Sequence, residues 1–446
     1  MHPIINWFNH LVENKLTRRI IKNTGYLFSA TGITAGISML QGILVARLLG
    51  VNNFAILGII TLFTSVINRL VSFRMGELVI KYVGHYTEAE DQKHAAAVFK
   101  ASAMVEILAS IAAYLLLVLL APLGAKYFAK DAALAPLFII YGVTILVNLI
   151  SESSTGLLQI FDRFRNMAGL LIVQSVFTLV IITIIYFRGG GILAILLAYL
   201  AGKAIGGIGL SIAAVLEANR QWGRGWWSTP VTLLRDKARE LTHFAINTNI
   251  SSSISLITKD SEILWVSYFR NTFEAGFYKL ALNLANMVQM PVSPMPKATY
   301  PELSREAARE SWGNFRHIMR QGSYIAGGYS TIVTVALILL GRPLIRIVYG
   351  EEYLPAYPAL VILLVGYLIA NTIYWRRPAL LALGRPDYPT KLNLILAGLK
   401  ILAVILLVPK YGYLASASLL AGFYVLNSLF SYLKVHSILK EKEKSA

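Results

Sequence analysis

Residues 26–73 read YLFSATGITAGISMLQGILVARLLGVNNFAILGIITLFTSVINRLVSF. Two apolar runs, each long enough to cross a membrane, meet at Gly50-Val51-Asn52-Asn53. The first is rich in Gly, Ser and Thr and ends near Arg47; the second carries Asn68 and Arg69 deep in its sequence. Small residues let helices approach closely in lipid, where packing rather than hydrophobic burial holds them together. A charge inside such a run costs about 2.5–3.5 kcal/mol on insertion scales, so it faces protein or a wet cavity. The hairpin therefore reads as a cavity wall rather than a lipid anchor.

The rest of the chain follows the same pattern. Of 446 residues, 56% are hydrophobic and only 14% charged, with a mean hydropathy of +0.60. Soluble domains carry about 25% charged residues, and their core elements are interrupted by polar faces. Apolar runs of spanning length recur here, which makes the chain an all-α polytopic membrane protein. Twelve spans are expected, at about 26–49, 54–73, 95–120, 134–157, 168–187, 192–216, 244–266, 275–295, 322–340, 357–381, 391–408 and 413–433. No short apolar core precedes a cleavage site at the N-terminus; residues 2–22, with Trp7 and Phe8 early and Lys15, Arg18, Arg19 and Lys22 late, read as an interfacial helix.

The net charge of +18 belongs to the loops. With the N-terminus inside, about 26 Lys and Arg fall in cytoplasmic segments against about 7 outside. Both termini are thus expected in the cytoplasm, and the lipid bilayer rather than nucleic acid is the partner of this charge. The longest connection, 217–243, carries Trp222, Trp226 and Trp227 beside Arg220 and Arg224. That cluster fits a membrane-surface belt, with a sugar or protein surface as the alternative.

The two halves match weakly at an offset of about 221 residues. Pro136-Leu137-Phe138 pairs with Pro358-Ala359-Leu360, Leu157–Arg163 with Ala379–Arg385, and Gly191-Ile192-Leu193-Ala194 with Gly412-Tyr413-Leu414-Ala415. Six spans per copy make the repeat parallel. The expected architecture is two six-helix lobes around a central cavity, residues 1–222 and 223–446.

No catalytic constellation accompanies it. The seven histidines are scattered, there is no cysteine, and no metal-ligand, phosphate-loop or nucleophile-elbow motif appears. No cofactor, metal or catalytic residue is therefore expected. The spans instead collect cations: Arg69, Lys203, Lys259, Lys279, Arg376, Arg377 and Lys400, with Arg47 near an end. Their acids are Glu106, Glu152, Asp260 and Glu262. Arg47 reads as snorkelling, and Lys259, Asp260 and Glu262 as satisfying one another. The remaining cations exceed the acids, and buried surplus charge is costly unless an anion arrives. Arg69, Lys279, Lys203, Arg376, Arg377 and Lys400 are the candidate substrate-binding set. Glu106 and Glu152 are candidates for ion coupling, because burial favours the protonated carboxyl.

Leu44-Val45-Ala46-Arg47-Leu48-Leu49-Gly50 followed by Asn53-Phe54-Ala55-Ile56 resembles the first-hairpin signature of the polysaccharide transporter, or Wzx-type oligosaccharide flippase, family. Gly276-Phe277-Tyr278 and Ala281, Tyr300-Pro301-Glu302-Leu303-Ser304, and the stretch from Arg342-Pro343-Leu344 to Tyr353 resemble its later segments. The resemblance implies a member of the multidrug/oligosaccharidyl-lipid/polysaccharide exporter group. It implies a polyprenyl-diphosphate-linked oligosaccharide flipped by alternating access at the cytoplasmic membrane for surface polysaccharide synthesis. Polysaccharide polymerase and glycosyltransferases are the implied partners. Arg69 falls where related peptidoglycan-precursor flippases carry a second-span Arg, and Lys279 lies near their eighth-span Arg. Gln41 stands where they carry a first-span Arg. The alternatives are a drug/cation antiporter of the same fold, which requires acids and aromatics in its cavity, and a membrane glycosyltransferase or ligase, which requires catalytic acids.

Overall fold

The computed structural model describes residues 15–73, 75–245, 261–385 and 387–445. The first hairpin is one 57-residue helical stretch, α1 (Lys15–Val71), bent at Gly50 (φ 67°, ψ 174°). That backbone conformation is open only to glycine, so it turns two spans against each other without a loop. The last hairpin, α14 (Asp387–Ser445, 59 residues), repeats the device at Gly412 (φ 65°, ψ −148°).

Between them run α2 (Met75–Glu88), α3 (Gln92–Tyr127), α4 (Ala135–Val147), α5 (Ser151–Ile160), α6 (Phe164–Arg188) and α7 (Ile192–Trp222). After the connection come α8 (Glu262–Phe269), α9 (Thr272–Gln289), α10 (Met295–Ala308), α11 (Trp312–Val348), α12 (Ala356–Thr372) and α13 (Arg376–Ala382). Among the described residues, eight helical stretches are long and apolar enough to cross a membrane, and α1 and α14 each count once for two spans. The eighth span is α9, whose Glu274 and Lys279 lower its hydropathy. The seventh is seen only as α8; Lys259 and Asp260 lie outside the described residues, as does most of the interfacial helix expected over 2–22.

The expected continuous spans over 134–157 and 357–381 are each broken. α4 stops at Asn148 and α5 restarts after Ile150; α12 stops at Ile373 and α13 restarts after Trp375. The breaks stand six spans apart, as the repeat requires. Polar side chains make them tolerable in an apolar setting. Asn148 Nδ2 donates to Thr144 O at 2.7 Å and Ser151 Oγ donates to Asn148 Oδ1 at 3.0 Å.

The chain forms two compact units. One holds the described residues up to Leu49, Ile60–Lys126 and the described part of Asp131–Ser253. The other holds Gly50–Ile59, Tyr127–Lys130 and the described part of Ile254–Ala446.

In the first unit, α2 buries Met75, Leu78, Val79, Tyr82, Val83 and Tyr86, one stripe at helical period. The stripe packs on Ala95–Phe99, Leu157, Leu158, Ala214 and Trp226, so the 217–243 connection is folded onto this unit. Asp91 starts α3 by accepting the His94 N–H at 3.1 Å, and that bond holds its carboxyl below the ordinary range. α6 is apolar on every side and mostly uncovered, as a lipid-facing helix must be.

In the second unit, α12 is the central helix, with Ala359, Leu360, Leu363 and Leu364 fully buried among α9, α11 and α14. The tip of the first hairpin is seated in this unit. Phe54 meets the Tyr353 ring edge-on at 6.0 Å, and Thr272 Oγ1 donates to Asn52 Oδ1.

Candidate substrate site

The break at the end of α12 strips its last carbonyls of their helical partners. Arg376, the first residue of α13, replaces them: Nη1 donates to Ala370 O at 2.8 Å, with Ser428 Oγ at 3.3 Å. A cation at a helix C-terminus also meets the negative end of its dipole. The anchoring holds the guanidinium over a cavity of about 450 Å³.

Four elements of the second unit wall this cavity. Ser293–Tyr300 enters α10 past a proline-broken turn; Tyr374–Leu381 carries the α12–α13 break; Asn393 lies on the first span of α14; Phe423–Ser431 lies on the second. Among the described residues three cations line it, Lys297, Arg376 and Arg377, and no carboxylate does. Lys297 and Arg377 are exposed and have no side-chain partner among the described residues. The polar lining includes an amide pair, Asn427 Nδ2 donating to Asn393 Oδ1 at 2.7 Å, and Tyr374, whose hydroxyl lies 3.0 Å from Thr299 Oγ1. Tyr300, Tyr424 and Phe423 add aromatic faces.

The structure thus brings Arg376 and Arg377 together and distributes the other expected cations. Lys400 is buried and ion-paired with Glu262 on α8, its ammonium 5.6 Å from the Phe423 ring centroid. Lys259 and Asp260, the sequence neighbours expected to satisfy Glu262, lie outside the described residues; among the described residues Glu262 pairs with Lys400, on another helix. Lys279 is half-buried on α9. It donates to Phe54 O at 2.7 Å and lies 3.8 Å from that ring's centroid. Gly58 makes room for it, since a Cβ there would stand 2.6 Å from Lys279 Cδ.

Arg69 and Lys203 belong to the first unit. Arg69 is exposed in the last turn of α1, so its charge complements a helix end rather than sitting mid-span. Lys203 is exposed within α7 and has no partner among the described residues. Arg47 is also exposed, on the first span of α1.

The candidate coupling acids occupy one place in the first unit. Glu106 is buried on α3, and its two oxygens accept the backbone N–H groups of Glu152 (2.8 Å) and Ser153 (2.9 Å). Those are second and third residues of α5, so Glu106 does from another helix what an N-cap side chain does locally. Glu152 itself is exposed. Among the described residues no group of three or more His, Asp or Glu is placed to hold a metal.

Sequence reading missed Lys297, Tyr300, Asn393, Tyr424 and Asn427. Lys297 was counted with the loop cations. The two asparagines carried a usable signal, since each is an amide inside an apolar run that needs a partner.

The family described as "Polysaccharide biosynthesis protein" matches residues 20–306, more than half of the chain. Inner membrane protein YghQ of Escherichia coli (strain K12) is 23% identical over 351 residues, covering 78% of this chain and 97% of its own. A multidrug resistance MATE family transporter of the MOP superfamily, solved inward-facing, superposes with a TM-score of 0.73 at 13% identity, over 93% of this chain and 96% of its own. Lipid II flippase MurJ, inward closed, gives a TM-score of 0.70 at 16% identity, over 93% of this chain and 89% of its own. A MOP superfamily transporter from Pyrococcus furiosus, described as having a binding pocket of reversed polarity, gives 0.65 at 15% identity, over 97% and 98%. The shared fold is all-α, with twelve helices in two lobes, and the solved proteins named here that share it are transporters and a flippase. The chain belongs to the polysaccharide biosynthesis protein family of multi-pass membrane proteins.

Proposed function

We propose that this protein flips a lipid-diphosphate-linked oligosaccharide across the inner membrane by alternating access, with both termini cytoplasmic, for surface polysaccharide synthesis. The observation that carries the reading is the state of its charges. Lys203, Lys297 and Arg377 have no partner among the described residues, while Glu106 and Glu262 are already engaged within the fold. A transporter built this way attracts anions. The MurJ likeness and the family description support a lipid-linked glycan as that anion.

Arg69, Lys203, Arg376 and Arg377 are the groups we assign to the cargo. Lys279 and Lys400 are held by Phe54 and Glu262. The glycosyltransferases that build the glycan and the polymerase that extends it are the partners this cargo implies. The test is surface glycan in a strain lacking its own flippase, read beside the membrane level of each variant. Arg69→Ala should cut export severely at normal abundance, each charge-assisted contact being worth about 1.5–3 kcal/mol. Arg69→Lys should keep part of it, because charge survives while the planar fork is lost. Normal export by Arg69→Ala overturns the assignment of Arg69.

Drug or cation export is the second reading, favoured by the MATE likeness. It requires acids free to meet a cation, whereas Glu106 and Glu262 are engaged. Raised drug resistance in a pump-deficient strain, with no glycan exported, would install it instead.

A further inference from the structure

The cavity of the second unit has a chemistry more specific than a positive surface. Its cations are set in a polar and aromatic lining. Arg376 is pinned through Nη1 to Ala370 O, so its orientation is set before any ligand arrives. Arg377 follows it in sequence, and Lys297 comes from the start of α10. Two guanidinium forks and one ammonium, with no carboxylate among them, suit a ligand bearing more than one phosphate. The same space is also lined by the Asn393–Asn427 amide pair, Ser431 and the rings of Tyr300, Tyr374 and Tyr424. Amides that both donate and accept, beside aromatic faces, suit a sugar ring rather than a second anion or an alkyl chain. The volume, about 450 Å³, lies within the range of small-ligand sites, about 300–1,000 Å³, and so takes one end of a long cargo, not the whole of it.

We propose that this cavity seats the diphosphate and first sugar of the cargo, with Lys297, Arg376 and Arg377 on the phosphates and Tyr300, Asn393 and Asn427 on the sugar. The assignment rests on the flippase reading above. It places reading of the first sugar within one unit, so residues at 300, 393 and 427 set which sugar is accepted while the cations accept any diphosphate.

The test uses the full-length protein in lipid nanodiscs and calorimetric titration with three probes: inorganic pyrophosphate, farnesyl diphosphate, and farnesyl diphosphate bearing N-acetylglucosamine. The sugar-bearing probe should bind most tightly. Arg377→Gln and Lys297→Gln should each weaken all three by about tenfold, the loss of one charge-assisted contact. Both side chains are exposed and unpartnered among the described residues, so the variants keep the fold. Asn393→Ala and Tyr300→Leu should remove only the advantage conferred by the sugar. Unchanged affinity in the Arg377→Gln/Lys297→Gln double variant overturns the site. Equal binding of pyrophosphate and the sugar-bearing probe overturns the sugar assignment. Glycan export by the same proteins separates the two levels. Normal export by the double variant with wild-type affinity sinks the cavity and leaves the flippase reading standing. Tight, cation-dependent probe binding by a wild-type protein that exports no glycan sinks the flippase reading and leaves the cavity.

Discussion

Glu106 and the Lys400–Glu262 pair show how a single residue in an apolar bundle commits its charge to the fold. Both oxygens of Glu106 accept backbone N–H groups at the start of α5, where the helix dipole also favours an anion. A neutral amide in its place accepts one of these bonds and turns an NH₂ toward the other donor. Glu106→Gln should therefore destabilise the protein by about 1.5–3 kcal/mol, seen as a lower thermal midpoint in detergent, and reduce transport at every pH. If the proton-coupling role expected from sequence holds instead, the same variant melts normally and loses only the pH dependence of transport. Lys400 and Glu262 are both nearly inaccessible, at 7% and 2% exposure, so removing one takes the ion-pair partner from a charge in a dry place. Lys400→Met should cost about 3–5 kcal/mol, and Lys400→Met with Glu262→Leu should recover much of it. A double variant no more stable than the single one would show that the pair does not act as a unit.

At the scale of elements, the two glycine turns can be told apart. Gly50 and Gly412 both hold a positive φ that a side chain strains, at about 1–3 kcal/mol. A Cβ at Gly50 has ordinary contacts, the nearest being Glu352 Oε1 at 3.7 Å, whereas one at Gly412 would stand 2.0 Å from Glu274 Oε2. That carboxylate is fixed, because it accepts the Tyr413 N–H at 3.0 Å and the Arg270 Nε–H at 2.9 Å. Gly412→Ala should thus lower the thermal midpoint clearly more than Gly50→Ala; equal shifts would mean that backbone strain alone decides. Elements of this kind were legible in the sequence to different degrees. The hairpins could be read because run length and a Gly at the turn are local signals. The breaks in α4–α5 and α12–α13 could not, because one key cap, Glu106, comes from 46 residues away. The Lys400–Glu262 pair was not legible for the same reason, its two members standing 138 residues apart. Arg376 and Arg377, which line the cavity, were legible as candidates because they are cations within an apolar run. Lys297 was lost among loop charges because only the fold turns that loop into a cavity wall.

For the whole molecule, orientation is the property on which every functional statement depends, and the sequence makes it testable. The asymmetry of Lys and Arg predicts both termini inside, with Lys126 and Arg342 outside and Arg235 and Arg309 inside. The cavity would then open from the cytoplasmic end of the second unit, since the same asymmetry predicts the segment of Lys297 to be inside, and would load cargo from the side where it is built. The chain has no cysteine, so each single substitution creates one reactive thiol with no background to remove. All four side chains are exposed, which lets a label reach them without unfolding. Lys126→Cys and Arg342→Cys should react with a membrane-impermeant maleimide in intact cells. Arg235→Cys and Arg309→Cys should react only after the membrane is opened. Labelling of Arg235→Cys in intact cells would invert or break the first six spans. The parallel repeat would then fail, because its two copies must enter the membrane in the same direction. Labelling of Arg309→Cys alone would instead misplace one span of the second half, and with it the side from which the Arg376–Arg377 cavity is loaded.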